Sequence, residues 1–201
     1  MDTKQHWESV YRSKGDQEVS WTQADPQLSL SLISEVSGSG SVIDIGGGAS
    51  ALAGRLLDAA YSVTVLDISQ ASLDRAAAKL GIRAGRVRWV AADVTAAPEL
   101  GTFDVWHDRA VFHFLIDPEQ RAEYISLLSR SVLVGSHAVI ATFALDGPEK
   151  CSGLPVRRYD AKSLSAELGA GFTLIKSVPA IHTTPSGKPQ SFQYSVFRRL
   201  R

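Results

Sequence analysis

Short apolar runs at 41–45, 62–66, 87–91 and 103–107 have the length and composition of strands buried on both faces. Between and after them lie segments with helical spacing, each opening on a residue that caps helices. Ser50 opens 50–60, Ser69 opens a helix to Leu80, Asp117-Pro118 opens one to Val134, and Asp160 opens one ending near Gly169. In the third of these, Ala122, Ile125, Leu128 and Val132 form the apolar stripe. A fifth strand is predicted over 136–145, and a long loop over 146–158. The segments 172–178 and 192–197 alternate apolar and polar positions and read as an antiparallel pair about Pro185-Ser186-Gly187. Ahead of the first strand, 3–13 carries Trp7, Val10 and Tyr11 on one helical face. An irregular polar stretch around Val19 and Trp21 follows. Asp25, as N-cap, and Pro26 then open a helix that buries Leu28, Leu32 and Val36. Alternation of strands and helices over most of the chain predicts an α/β fold: an open parallel sheet with helices on both faces.

Composition narrows what such a fold does here. The chain has 201 residues, which suits one domain with a full core, and 44% of them are hydrophobic. Lys+Arg and Asp+Glu are 21 each, and this balance argues against a nucleic-acid partner. Cys151 is the only cysteine, so no internal disulfide forms. The five histidines show no metal-ligand spacing, and no metal is expected. No apolar stretch approaches the roughly 20 residues of a membrane span. The N-terminus has no apolar signal segment, and the expectation is a cytoplasmic protein, monomeric or a homodimer.

In an open parallel sheet the ligand sits beyond the carboxyl ends of the strands, where strand order reverses. Four consecutive strands end there at or near an acid: Asp44, Asp67, Asp93 and Asp108. The first acid runs into Gly46-Gly47-Gly48-Ala49-Ser50, a turn tight enough for backbone N–H groups to approach a ligand. Asp67 stands 23 residues past Asp44, the spacing of an acid that accepts hydrogen bonds from ribose hydroxyls. The turn alone also fits a dinucleotide such as NAD. Against that, Asp44 would repel a pyrophosphate and suits an ammonium group instead. Asp93, with the backbone N–H of Val94, suits the amino group and a ring nitrogen of adenine.

Asp44-x-Gly46-x-Gly48-x-Ser50, Asp67 and Asp93-Val94 resemble the successive motifs of class I S-adenosylmethionine-dependent methyltransferases. Over roughly 40–201 the resemblance implies a Rossmann-like, doubly wound sheet of seven strands with the last antiparallel. It implies S-adenosylmethionine as cofactor, with the methionine part on Gly46, Gly47 and Gly48, the ribose on Asp67 beside Ile68, and the adenine on Asp93 and Val94. Ser50 stands where the family has a third glycine. The leader His6-Trp7-Glu8-Ser9-Val10-Tyr11 with Val19-Ser20-Trp21 resembles that of compact members acting on small molecules, thiols or protein lysines, and implies that 1–38 is a cap folded over the cofactor. Trp21 is then a lid residue whose ring faces the sulfonium.

The segment Trp106-His107-Asp108-Arg109-Ala110-Val111-Phe112-His113-Phe114 leaves strand four beside the methyl group in that fold. Asp108 is a candidate for orienting the acceptor, and His107 or His113 for a general base. Asp108-Arg109 resembles the thiopurine-type methyltransferases, which adds Arg109 to the candidates. In the loop after strand five, Arg157, Arg158 and Tyr159 are candidates for an acidic substrate. The expected activity is methyl transfer to a small-molecule nucleophile through sulfur, oxygen or nitrogen. The alternatives are a protein lysine methyltransferase and, from another class, a nucleoside-binding module without turnover.

Overall fold

The computed structural model describes residues 3–201. Two helices, α1 (Thr3–Ser13) and α2 (Gln27–Val36), precede the first strand, β1 (Ser41–Ile45). There follow α3 (Leu52–Asp58), β2 (Ser62–Asp67), α4 (Gln70–Leu80), β3 (Val87–Ala91), β4 (Phe103–Arg109), α5 (Pro118–Ser131) and β5 (Val132–Phe143). A small hairpin of β6 (Lys150–Cys151) and β7 (Leu154–Pro155) leads to α6 (Ala161–Leu168), β8 (Phe172–Thr183) and β9 (Pro189–Arg199). The main sheet has seven strands in the order β3-β2-β1-β4-β5-β9-β8. The pairs β1–β2, β2–β3, β1–β4 and β4–β5 are parallel, and β9, last in the chain, runs antiparallel between β5 and β8. Strand order reverses between β1 and β4, which places a ligand crevice at their carboxyl ends.

Two cores explain why β1 carries apolar residues on both of its faces. Val42 faces a cluster with Leu32 and Ile33 of α2, Leu52, Leu56 and Leu57 of α3, and Leu73 of α4. Ile43 and Ile45 face the opposite cluster, with Tyr124, Leu127 and Leu128 of α5 and Leu164 and Leu168 of α6. Each strand residue points to the opposite face from its neighbour, so a strand covered on both sides has no polar phase.

Three of the expected caps are formed. Ser69 accepts from the Ser72 N–H, Asp117 from the Glu119 N–H, and Asp160 from the Ser163 N–H. Of the remaining two, Ser50 accepts from the Leu52 N–H at 3.0 Å while Ala51 takes the N-cap position of α3, and the cap at Asp25 is not formed. Pro26 occupies the N-cap position of α2 without a side-chain hydrogen bond, and Asp25 lies 3.8 Å from Arg55 instead. The buried face of α5 also differs from its apolar stripe: Arg121, Tyr124, Leu127, Leu128 and Ser131 are buried, while Ala122 is exposed. The cause is Arg121, whose guanidinium turns inward to donate to the carbonyls of Leu115 and Ile116 and to pair with Glu167 at 2.9 Å. The expected loop 146–158 contains the β6–β7 hairpin.

The leader is tied to the start of α4. The Glu8 carboxylate accepts from Ser69 Oγ at 2.7 Å and from the Ala71 N–H at 3.3 Å. Arg75 donates to the carbonyls of Tyr11 and Lys14, and Lys79 pairs with Asp16. These bonds lay α1 across the mouth of the crevice rather than out in solvent.

Candidate active site

The glycine turn after β1 is closed on every side. Gly46, with φ of 64°, donates its N–H to the Leu66 carbonyl at 2.7 Å. A Cβ at Gly47 would lie 2.4 Å from Asp44 Oδ2, and one at Gly48 would lie 2.7 Å from Asp67 Oδ2. Two acids are therefore packed directly against the turn. A phosphate there would meet both, whereas a ligand carrying an ammonium group and ribose hydroxyls meets suitable acceptors.

Two recesses, of about 930 and 600 Å³, open at the carboxyl edge of the sheet and share Tyr11, Trp21, Ile45, Gly46 and Arg109 in their walls. The larger is lined by Asp67, Ile68, Asp93 and Val94. Asp67 is buried, accepts from the Ser69 N–H at 2.8 Å, and has its carboxyl pushed up to about 6, by burial first and by the nearby Asp44 charge among the lesser causes. Asp93 is exposed, with one oxygen taken by the N–H and hydroxyl of Thr95. The smaller recess is lined by Asp44, Gly46, Gly47, His107, Arg109 and Ser29. Asp67, Asp93 and Val94 thus stand in one recess and Asp44 in the other, and the two recesses meet at Gly46.

Alternation along β4 sorts the residues at its end. Asp44 and His107 are register partners on adjacent parallel strands, and Ile45 pairs with Asp108, so His107 and Asp108 face opposite sides of the sheet. Asp108 points toward α5. It accepts from the N–H groups of Val111 and Phe112 and from Tyr124 Oη at 2.6 Å, and it lines neither recess. Burial raises its carboxyl to about 6 against these donors. It shapes the turn after β4 and is not placed to touch an acceptor. Tyr124 in turn accepts from the Trp106 indole at 2.8 Å. Tyr124→Phe strands the Trp106 indole N–H in the core, removes one of the three donors to Asp108, and is expected to lower stability by about 1–3 kcal/mol. A shift in the denaturant midpoint measures this, and an unmoved midpoint would show that the network contributes nothing.

His113 is likewise fully buried. Its Nδ1 accepts from the Phe143 N–H at 3.3 Å, and burial, aided by Arg109, depresses its pKa to about 3. It is a neutral core group and lines neither recess. Tyr159 is buried against Phe112. Arg157 pairs with Glu167 at 2.7 Å and Arg158 with Glu149 at 3.2 Å, so the three candidates after strand five lie outside both recesses.

Arg109 lies where the recesses meet. It donates from Nε to Tyr194 Oη at 3.1 Å and from Nη1 to the Trp21 carbonyl at 3.0 Å, and stacks 4.6 Å from the centre of the Phe192 ring. Its Nη2 is buried without a hydrogen-bond partner, and no carboxylate among the described residues pairs with it. Trp21 donates its indole N–H to Tyr11 Oη at 3.1 Å and meets Trp7 edge-on at 5.3 Å, and Trp7 meets Phe114 at 5.2 Å. These rings form an aromatic wall over the larger recess. Cys151 also lines it, but burial pushes its thiol up to about 11. Among the described residues no group of three or more His, Cys, Asp or Glu side chains is arranged to hold a metal ion.

Sequence reasoning missed Ser29, Tyr194 and Phe114. Ser29 did carry a signal. It stands three and four residues before Leu32 and Ile33, and therefore on the buried face of α2.

Residues 42–133 match the family model described as a methyltransferase domain. No curated protein sequence matches the chain. Among solved structures, the chain is similar to a protein that converts a disulfide bond into a thioacetal group during echinomycin biosynthesis. The TM-score is 0.80 at 19% identity, over 98% of this chain and 91% of that one. It is also similar to the 1,6-didemethyltoxoflavin N1-methyltransferase of Burkholderia thailandensis, solved with 1,6-didemethyltoxoflavin and S-adenosylhomocysteine. There the TM-score is 0.78 at 19% identity, over 98% and 87% of the two chains. The N-methyltransferase NodS of Bradyrhizobium japonicum, in complex with S-adenosylhomocysteine, gives 0.72 at 18% identity, over 98% and 99%. These likenesses show the fold. Sheet order, glycine turn and the domain match, which covers less than half of the chain, agree with a Rossmann-like, methyltransferase-type fold. Two of these similar structures hold S-adenosylhomocysteine, the product left when S-adenosylmethionine gives up its methyl group. No helix among the described residues is long and apolar enough to cross a membrane.

Proposed function

We propose that the enzyme methylates a small-molecule nucleophile, through sulfur or nitrogen, that also carries an anionic group. The observation that carries this reading is Arg109: a cation in the shared wall of both recesses, with one buried donor unused and no acid among the described residues to neutralise it. A buried donor left unpaired is costly, and an anionic ligand removes that cost. The aromatic wall of Trp7, Trp21 and Phe114 and the bonded leader enclose the acceptor side, which favours a compact acceptor over a protein side chain. The toxoflavin N1-methyltransferase, solved with 1,6-didemethyltoxoflavin, and the N-methyltransferase NodS are named for transfer to nitrogen, in line with a nitrogen acceptor.

Bound S-adenosylmethionine supplies a methyl group already activated on a sulfonium sulfur. In this reading Asp67 receives the ribose hydroxyls, with Ile68 beside it, and Asp93 and the Val94 N–H receive the adenine edge. Asp44, under Gly47, receives the ammonium group. The faces of Trp21 and Tyr11 stabilise positive charge where the recesses meet. Residues 1–38 act as the lid, and by excluding water they strengthen each of these contacts. Neither histidine candidate after strand four is free to take a proton from the acceptor. His107 uses both ring nitrogens in hydrogen bonds, and His113 is sealed in the core. A thiol or amine that is nucleophilic without a strong base suits this site better than an alcohol.

The test is methyl-labelled cofactor with a panel of thiols, amines and phenols, each with and without a carboxylate. The expected result is highest turnover for carboxylated thiols or amines. Label appearing in protein bands from an extract, with no small-molecule turnover, would overturn the reading in favour of a protein substrate. Arg109→Met is expected to raise KM for the carboxylated acceptor roughly 10- to 100-fold, and to change S-adenosylhomocysteine affinity less. An unchanged KM would remove Arg109 from the acceptor site.

A further inference from the structure

Three buried polar side chains from three elements form one hydrogen-bonded chain beneath the smaller recess. Asp44 of β1 lies 2.7 Å through Oδ1 from His107 Nδ1, and His107 Nε2 lies 2.9 Å from Ser29 Oγ on α2. All three are at most 2% exposed. We propose that Ser29 and His107 are positioning residues of the cofactor site, which hold Asp44 anionic and aimed under the glycine turn at the ammonium group of the cofactor's amino-acid end. The proposal rests on the reading of Asp44 as the ammonium partner.

The argument starts from the cost of a buried carboxylate, several kcal/mol unless donors satisfy it. A lysine or arginine at position 107 would meet that cost but cancel the charge, leaving little for an ammonium group to bind. An imidazole with a single ring proton supplies a donor and no charge. One proton arrangement satisfies the whole chain in that state: Ser29 Oγ–H donates to Nε2, which leaves the ring proton on Nδ1, and Nδ1–H donates to Asp44. Oδ1 is then engaged, and Oδ2 remains for the turn, 2.4 Å from where a Cβ at Gly47 would lie. Ser29 thus selects the tautomer, His107 fixes the carboxylate plane, and the negative charge stays on Asp44. The arrangement also couples the leader to the cofactor, because Ser29 reaches the site only when α2 is docked against the sheet.

A pair of ligands separates this role from a structural one. S-adenosylhomocysteine carries the amino-acid end, and 5′-methylthioadenosine lacks it while keeping the nucleoside and the sulfur. Calorimetric titration of the wild-type chain is expected to show a clear preference for S-adenosylhomocysteine, and Asp44→Asn to abolish most of it. Ser29→Ala and His107→Leu are each expected to reduce that preference roughly tenfold while leaving 5′-methylthioadenosine affinity within about twofold. His107→Asn, which keeps an amide donor near the Nδ1 position, is expected to recover part of it. Equal weakening of both ligands would assign the chain a packing role and overturn the proposal, as would an unchanged preference in Ser29→Ala. If the His107 variants do not fold, Ser29→Ala, which deletes one hydroxyl, decides alone. Wild-type protein that binds both ligands equally would instead refute the placement of the ammonium group at Asp44, and binding of neither would refute the cofactor reading itself.

Discussion

Asp67→Asn is expected to weaken S-adenosylhomocysteine binding by about two orders of magnitude while changing stability little. The two effects separate because the carboxylate is favourable only with ligand present. In the free protein burial raises its pKa from 3.8 to about 6. An acid whose pKa rises on folding holds its proton more tightly when folded, so its contribution to stability is greatest below about pH 4 and is lost as pH rises through 6. At neutral pH ionised Asp67 therefore costs on the order of 3 kcal/mol of stability. Asparagine removes that cost, yet it also gives up the acceptor that faces Gly48 and Ser72, and the two changes oppose each other. Binding has no such offset. Two ribose hydroxyls donating to a carboxylate are worth roughly 1.5 kcal/mol or more each, and together they give the hundredfold figure. The pH dependence follows with a definite sign. Binding requires the ionised form, so affinity is expected to be flat above about pH 7 and to fall about tenfold per unit below 6, and the asparagine variant is expected to lack this fall. Calorimetry between pH 5 and 8 decides it. Wild-type affinity that stays constant to pH 5 would show that Asp67 does not hold the ribose.

Where the sequence was legible, a single local rule was enough. β1 and β3 begin and end where their predicted runs do; β1 is covered on both faces, which leaves no ambiguity of phase, whereas β3 lies at the sheet edge with only Val87 buried. Ser69, Asp117 and Asp160 cap their helices because a side-chain oxygen two or three residues from an orphan N–H needs no tertiary help. Asp25 broke the rule when Pro26 took the cap position itself. The stripe of α5 shifted because Arg121 found three acceptors, one buried and two part-buried, that hydropathy does not register. The same division runs through the site. The acids at the strand ends were visible as spacing, and Asp44, Asp67, Asp93 and Val94 do line the crevice. The direction in which a side chain leaves a strand depends on register, and register is a relation between strands. Nothing local says that Asp44 stands beside His107, or that Asp108, one residue on, faces Tyr124 instead. The candidates at His113, Arg157, Arg158 and Tyr159 failed to reach the crevice for a related reason: their partners, Phe143, Glu167, Glu149 and Phe112, are distant or unmarked in the sequence.

Gly46→Ala is expected to destabilise the fold by roughly 2–5 kcal/mol and to abolish measurable cofactor binding. Two independent penalties meet at this position. Its φ of 64° lies in the left-handed region, where a Cβ costs about 1–2 kcal/mol. The added methyl would also stand 2.1 Å from Val111 Cγ2, far inside contact distance, and overpacking of that kind costs roughly 1–3 kcal/mol. Neither side can retreat easily. Gly46 is held to β2 through the Leu66 carbonyl at 2.7 Å, and the Val111 N–H is held by Asp108 Oδ1 at 2.8 Å. The Ala110 N–H is held by the Ala141 carbonyl, also at 2.8 Å. Asp108, a catalytic candidate by sequence, thus serves the fold instead, by fixing the turn whose Val111 closes over the glycine. The two penalties can be separated. Adding Val111→Ala removes the methyl that collides, so the double variant is expected to recover the steric part of the loss and keep the backbone part. Urea midpoints of the wild type, both single variants and the double variant give the coupling directly. Strict additivity would mean that the turn relaxes away from Val111, and that the closeness of these two residues does not hold the Gly46 turn in its binding shape.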